Sequence, residues 1–183
     1  MLFMQKKKNE FSNPIIKDRI EILQDSKNTL KFRTFLEPKG GQNALHYHAR
    51  IKEEFHIIEG ELSVIINTKK QILRINEKQI ITPFTTHKFY NDTNTTTIFD
   101  VIITEPKEMK KGLQIMYGLV EDGKTNSAGL PNNIFHTAIG LKMMDAFSPD
   151  FPLILQKLGI STFAYLGNKL GIKKALLTKY CDS

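Results

Sequence analysis

From residue 30 to residue 104 the chain is a succession of short apolar-rich runs separated by turn formers, and this pattern constrains the fold most tightly. Residues 30–36 (LKFRTFL) alternate with period two and place Leu30, Phe32 and Leu36 on one face, as a half-buried strand requires. Pro38, Gly40 and Gly41 end that run. Further strand-like runs cover residues 44–48, 53–58, 61–66, 71–75, 80–82, 87–90 and 96–104. Short strands at such close spacing predict an all-β sandwich or barrel. Residues 53–58 and 61–66 are separated only by Glu59 and Gly60, and a tight turn there is expected to pair them as a hairpin.

The pattern changes at Pro106. Residues 107–120 bring Leu113 and Met116 to helical spacing, and residues 134–147 do the same with Ile139, Met143 and Phe147. Residues 153–177 read as helical again, but Gly159, Gly167 and Gly171 argue against one continuous helix. The expected organisation is an N-terminal arm over 1–28, a barrel over 29–105 and a helical extension over 106–183.

The chain has 183 residues, 40% hydrophobic and 25% charged, enough for one globular core without covalent staples. Cys181 is the single cysteine, so no internal disulfide can form and a reducing compartment is expected. The basic start is not followed by the apolar stretch of a secretory signal, and no run is long enough to span a bilayer; the expected location is the cytoplasm. A net charge of +7 raises the question of an anionic partner. Lys6–Lys8 form one short run, the other basic residues are dispersed, and no basic stripe is interleaved with aromatics, so nucleic acid is not an expected partner. The stretch from Leu153 onward mixes apolar residues with lysines and suits a peripheral membrane contact, a dimer-forming arm or simple packing on the barrel.

Chemistry concentrates in GGQNALHYHARIKEEFHIIEGEL. His46 and His48 are two residues apart, and on a strand that spacing points both imidazoles to one face. Glu53 opens the next run and offers a carboxylate; Glu54 competes for the role but alternates to the other face. His87 enters from a separate segment, TPFTTHKFYN. Three histidines and a glutamate suit one divalent ion (iron(II), manganese, nickel, copper or zinc), and the oxygen ligand argues against a closed thiolate-type zinc site.

These two segments resemble the paired motifs of the cupin superfamily. The first has glycine, five residues, His-x-His, four residues, glutamate, six residues and glycine, here Gly40, His46, His48, Glu53 and Gly60. The second is matched by Pro83, His87 and Asn91, but Phe84 and Thr85 stand where that motif has an inner glycine. The resemblance implies a conical jelly-roll barrel, the double-stranded β-helix, with a metal held at its mouth by His46, His48, Glu53 and His87. It also makes a homodimer plausible.

His56, on the face opposite Glu53, and His136, in the helical half, read as structural or surface residues. Phe55 and Phe89 share faces with the metal residues, whereas Tyr47 and Tyr90 alternate away from them. Cys181 lacks any neighbouring base and reads as non-functional. The functional expectation is a metal-dependent enzyme of dioxygenase or isomerase type acting on a small molecule. The alternative is a non-enzymatic ligand-binding or sensing module, membrane-associated through its tail.

Overall fold

A computed structural model of the chain describes residues 9–181; the Lys6–Lys8 run lies outside them. Within the segment expected to be an arm, β1 (Glu10–Asn13) and β2 (Asp18–Asp25) form strands. They are followed by β3 (Thr29–Leu36), β4 (Tyr47–His48), β5 (Lys52–Glu59), β6 (Leu62–Ile66), β7 (Lys69–Leu73), β8 (Lys78–Ile81), β9 (His87–Tyr90) and β10 (Thr97–Thr104). An antiparallel sheet of six strands runs β1-β2-β3-β10-β5-β8, and a smaller one runs β7-β6-β9.

Alternation builds the core. Along β3 every second residue, from Leu30 to Leu36, is buried. Phe55 and Phe99 from the large sheet meet Phe89 from the small one edge to face, with centroids 5.2–6.0 Å apart. Each such side chain contributes roughly 1.5–3 kcal/mol through burial, so the strand pattern is held chiefly by this packing.

The expected hairpin between residues 53–58 and 61–66 does not form. β5 pairs with β10 and β8 in the large sheet, whereas β6 pairs with β7 and β9 in the small one. Gly60, at φ 77°, turns the chain around the corner between the two sheets. A Cβ there would stand 3.2 Å from the Thr96 carbonyl oxygen and 3.3 Å from the Thr97 Cα. The Thr97 hydroxyl donates to the Glu61 carbonyl at 2.7 Å and holds the corner. Leu62, Ser63 and Val64 are all buried, which a solvent-facing hairpin strand could not be.

The chain is not all-β. About a third of it is strand, and the second half folds as α1 (Met109–Glu121), α2 (Ile134–Met144), the short β11 (Ala146–Phe147), α3 (Leu153–Lys169) and α4 (Ile172–Tyr180). Ile115, Leu119, Ile139, Met143, Ala164 and Leu176 form a second core among these helices. As the glycines suggest, the last helical stretch is broken, at Leu170–Gly171. The architecture is a double-stranded β-helix with a helical region after it. The two parts meet where β11 pairs with β4, Ala146 opposite His48.

Candidate metal centre

The backbone brings the histidines together before any side chain acts. His46 and His87 are directly opposed, each amide donating to the other's carbonyl at 3.0 and 2.8 Å. Their rings stand 4.4 Å apart. His48, two residues on, points to the same side, with its ring 5.2 Å from that of His46 and 5.6 Å from that of His87. One ligating atom from each of the three lies within 4.8 Å of those of the other two.

Glu53 reaches in from β5, across the barrel. Its Oε2 lies 2.9 Å from His87 Nε2 and 3.7 Å from His48 Nε2, the second being close enough for charge attraction but too long for a hydrogen bond. Glu54 points the other way, towards Lys78 at 3.6 Å. His56 also lies on that outer face, in register with Asp100 and Lys78. His136 sits on α2 away from the cluster, and Cys181 lies at the end of the chain against the Lys111 carbonyl.

The other ring nitrogens are spoken for. His48 Nδ1 donates to the carbonyls of Met144 and Asp145, at 3.1 and 3.3 Å. His87 Nδ1 donates to the Thr85 carbonyl at 2.9 Å. Both rings therefore turn Nε2 inward, the orientation that metal-binding histidines require of their outer nitrogen. His87 Nε2 and Glu53 Oε2 face each other at 2.9 Å, a line on which a cation could draw on both. The donor set fits a divalent ion.

Electrostatics agree with this. Burial pushes the Glu53 carboxyl up, but His48 and His87 outweigh it and hold the group below the usual carboxylate range. Burial brings His46 down to about 3, helped by the neighbouring His87 and His48. Burial opposes charge on His48 too, yet Glu53 and Asp145 raise it overall. At neutral pH the site thus holds an ionised carboxylate and a neutral His46, the forms in which both can bind a metal.

Residues missed by sequence reasoning hold this arrangement. Asp145 follows α2 in the left-handed conformation, φ 53°. Its carboxylate accepts from the amides of Ala49 and Arg50, at 2.9 and 2.8 Å, and from the Arg50 guanidinium. The helical region therefore fixes the segment just after His48. The only sequence signal was an acidic residue at the end of a helical run. Asn91, matched above by motif, is fully buried and structural: its amide nitrogen donates to the carbonyls of Leu36, Glu37 and Thr95.

His46, His48 and Glu53 line one wall of a cavity of about 320 Å³. Phe32, Phe89, Val101 and Ile103 continue it inside the barrel, and Met109, Leu113 and Tyr117 of α1 close it. Phe55 is core beside His87 and does not line the cavity, whereas Phe89 does. Tyr47 turns away and stacks on Phe147 at 5.8 Å.

Solved structures similar in fold include KdgF from a Halomonas species, at 10% identity and TM-score 0.48, covering 52% of this chain and 86% of that one. A sugar phosphate isomerase of the cupin superfamily from Silicibacter pomeroyi has 21% identity and TM-score 0.46, covering 49% and 61%. An RmlC-like cupin from Shewanella frigidimarina has 14% identity and TM-score 0.47, covering 57% and 91%. These likenesses carry nothing about the reaction. No curated protein matches the chain. Residues 32–103 match the family of the cupin domain, and that segment contains all four clustered residues. Over residues 32–103 the chain carries a domain of the cupin family.

Proposed function

We propose that His46, His48, Glu53 and His87 hold one divalent metal ion, and that the chain is a metal-dependent enzyme, of dioxygenase or isomerase type, acting on a small molecule bound beside it. The observation that carries this reading is the shared wall: His46, His48 and Glu53 border the same apolar cavity, so a bound molecule would lie against the ion. The ion would supply Lewis acidity or a site of oxygen activation. The protein would orient the molecule, exclude water and keep Glu53 ionised. Iron(II), manganese, nickel, copper and zinc all suit three imidazoles and a carboxylate. On this reading the strand region over 29–105 carries the ion and the extension over 106–183 closes the cavity. Metal analysis after reconstitution tests it: about one ion per chain is expected, and none in a His48→Ala, His87→Ala double variant that remains folded. Absence of stoichiometric metal in the parent protein would overturn the reading. A chain that binds a small molecule but turns none over would be the sensing module instead.

We also infer that α3 rests on an anionic bilayer surface. Among the described residues no helix is long and apolar enough to cross a membrane. Yet α3 is apolar on both sides: Ala164 and Gly167 are buried inward, while Ile154 is 80% and Leu158 66% exposed outward. Leu155, Leu166 and Phe151 extend that outer face. Residues 151–181 contain five lysines and no acidic residue, which favours an anionic partner. Flotation with vesicles containing phosphatidylserine should carry the full chain, and Ile154→Glu with Leu158→Glu should abolish it. If vesicles do not bind and light scattering gives a dimer that the same variant splits, the face is a contact between two copies and the bilayer reading is wrong.

A further inference from the structure

The cavity has a second polar region that the metal reading leaves unused. Asp18 on β2 and Thr34 on β3 both line it. In the strand register Ile20 stands opposite Thr34, so Asp18 lies diagonally across from Thr34 on the same inward face. Tyr117 of α1 reaches over and donates its hydroxyl to Asp18 Oδ2 at 2.6 Å. Asp18 Oδ1 and Thr34 Oγ1 are buried and have no hydrogen-bond partner. Among the described residues the only other buried side-chain atom in that state is His136 Nδ1.

Leaving a buried polar atom unsatisfied costs stability, and two such atoms on one cavity wall call for an explanation. Ile20, Phe32, Val101, Ile103 and Leu113 on the same wall are apolar, and its polar residues Asn13, Gln42 and Asn43 hydrogen-bond elsewhere, to the amides of Ile15, Ile16 and Phe89 and to the Ala128 carbonyl. A carboxylate oxygen accepts hydrogen bonds, and a threonine hydroxyl accepts as well as donates. The pair is matched by a group that donates. A second carboxylate or a phosphate would face the Asp18 carboxyl and be rejected.

We propose that Asp18 and Thr34 form a specificity subsite that accepts the hydroxyl or ammonium group of an otherwise apolar ligand, whose other polar end faces the histidines. The subsite rests on the reading of the cavity as a small-molecule site, and it narrows the substrate class to apolar alcohols or amines with a second polar terminus. Tyr117 is its positioning residue: it occupies Oδ2 and leaves Oδ1 for the ligand.

The test uses the full chain, metal-free and manganese-loaded, with straight-chain carboxylates of about six to ten carbons and their ω-hydroxy and ω-amino analogues, a size range that suits such a cavity. Calorimetry at pH 8, above the value of about 7 to which burial raises the Asp18 carboxyl, is expected to show that a terminal hydroxyl or ammonium tightens binding about tenfold at the fitting length, the equivalent of one good hydrogen bond to a buried acceptor. Thr34→Val and Asp18→Asn should each cut that preference, read as the ratio of analogue to plain carboxylate affinity, by threefold or more. Thr34→Val is nearly isosteric, so its result stands even if Asp18→Asn fails to fold. No preference at any length, or a preference that survives in Thr34→Val, would overturn the subsite. If manganese does not bind but the preference is present, the metal reading fails and the subsite stands; if manganese binds and the preference is absent, the reverse holds.

Discussion

Phe84 holds a backbone conformation that phenylalanine rarely adopts, φ 65°. It is the third residue of the turn Thr82–Thr85, closed by the Thr85 amide donating to the Thr82 carbonyl at 3.1 Å. Pro83 in the second place and a left-handed third residue make this a type II turn, which favours glycine at that third place. The missing glycine of the second cupin motif is thus replaced by a strained phenylalanine without loss of the turn. The turn also matters chemically, because Thr85 accepts the proton of His87 Nδ1. Phe84 is 60% exposed and touches only the edge of the cluster, with its ring 6.3 Å from that of Tyr47, so little burial would be lost on removing it. Phe84→Gly is expected to stabilise the chain by about 1 kcal/mol, read from the urea midpoint at constant slope. A lower midpoint would mean that the ring contact outweighs the strain. The neighbouring glutamates can be separated in the same direct way. Glu53→Gln should weaken manganese binding by at least about tenfold, since partners one step further out already matter that much. Glu54→Gln should leave it within about twofold, because that side chain faces Lys78 outside the barrel. Equal losses in the two variants would misplace the carboxylate ligand.

The strands of the site were legible because period-two burial and the spacing of His46, His48 and Glu53 act locally, within one run or its neighbour. Their partners were not. The hairpin expected at Glu59–Gly60 failed because proximity in sequence does not decide which sheet a strand joins. The buried run Leu62–Ser63–Val64 and the corner at Gly60 do. Strand β1 shows little apolar pattern, since Phe11 is its single apolar residue and its buried end is Asn13; β2 does alternate, with Ile20 and Ile22 buried between Arg19 and Glu21, but its first inward position is the polar Asp18, which masks the period. The role of Asp18 was hidden in the same stretch. Asp145 was equally unreadable, since its partners Ala49 and Arg50 are almost a hundred residues away. It ties the end of α2 to the strand of His48, and it also anchors Arg50 through its Oδ1. Asp145→Ala would release the two amides and let the His48 ring turn. Metal affinity should fall by about ten- to a hundredfold with a near-native circular dichroism spectrum, in line with the loss of a residue that orients a ligand. Unchanged affinity would show that the backbone carbonyls of residues 144 and 145 suffice to hold the ring without the carboxylate.

At the scale of the whole molecule, stability and the cavity are coupled through Asp18. Burial raises its carboxyl from 3.8 to about 7, against the opposing hydrogen bond from Tyr117. A folded-state value above the unfolded one means that the folded chain holds the proton more tightly. The associated stability is complete below about pH 4 and is lost as the pH rises towards and through 7. Between pH 5 and 8 this single group should cost the wild type on the order of 3 kcal/mol. Other groups slope the opposite way. Burial lowers both His46 and His136, so each destabilises the fold at low pH and ceases to do so as the pH rises. Glu53, held low by its histidines, contributes stability above its unfolded value of 4.5 and loses it only in acid. The total profile is therefore a sum of opposing slopes, and only a difference isolates Asp18. Asp18→Asn removes its titration but keeps its size and leaves an oxygen for Tyr117. The unfolding free energies of wild type and variant, measured in urea without metal at pH 5, 6, 7 and 8, should diverge steadily, with the variant gaining on the wild type by about 3 kcal/mol across the series. Parallel profiles would mean that Asp18 is ionised in the folded chain throughout, with a donor already bound at Oδ1.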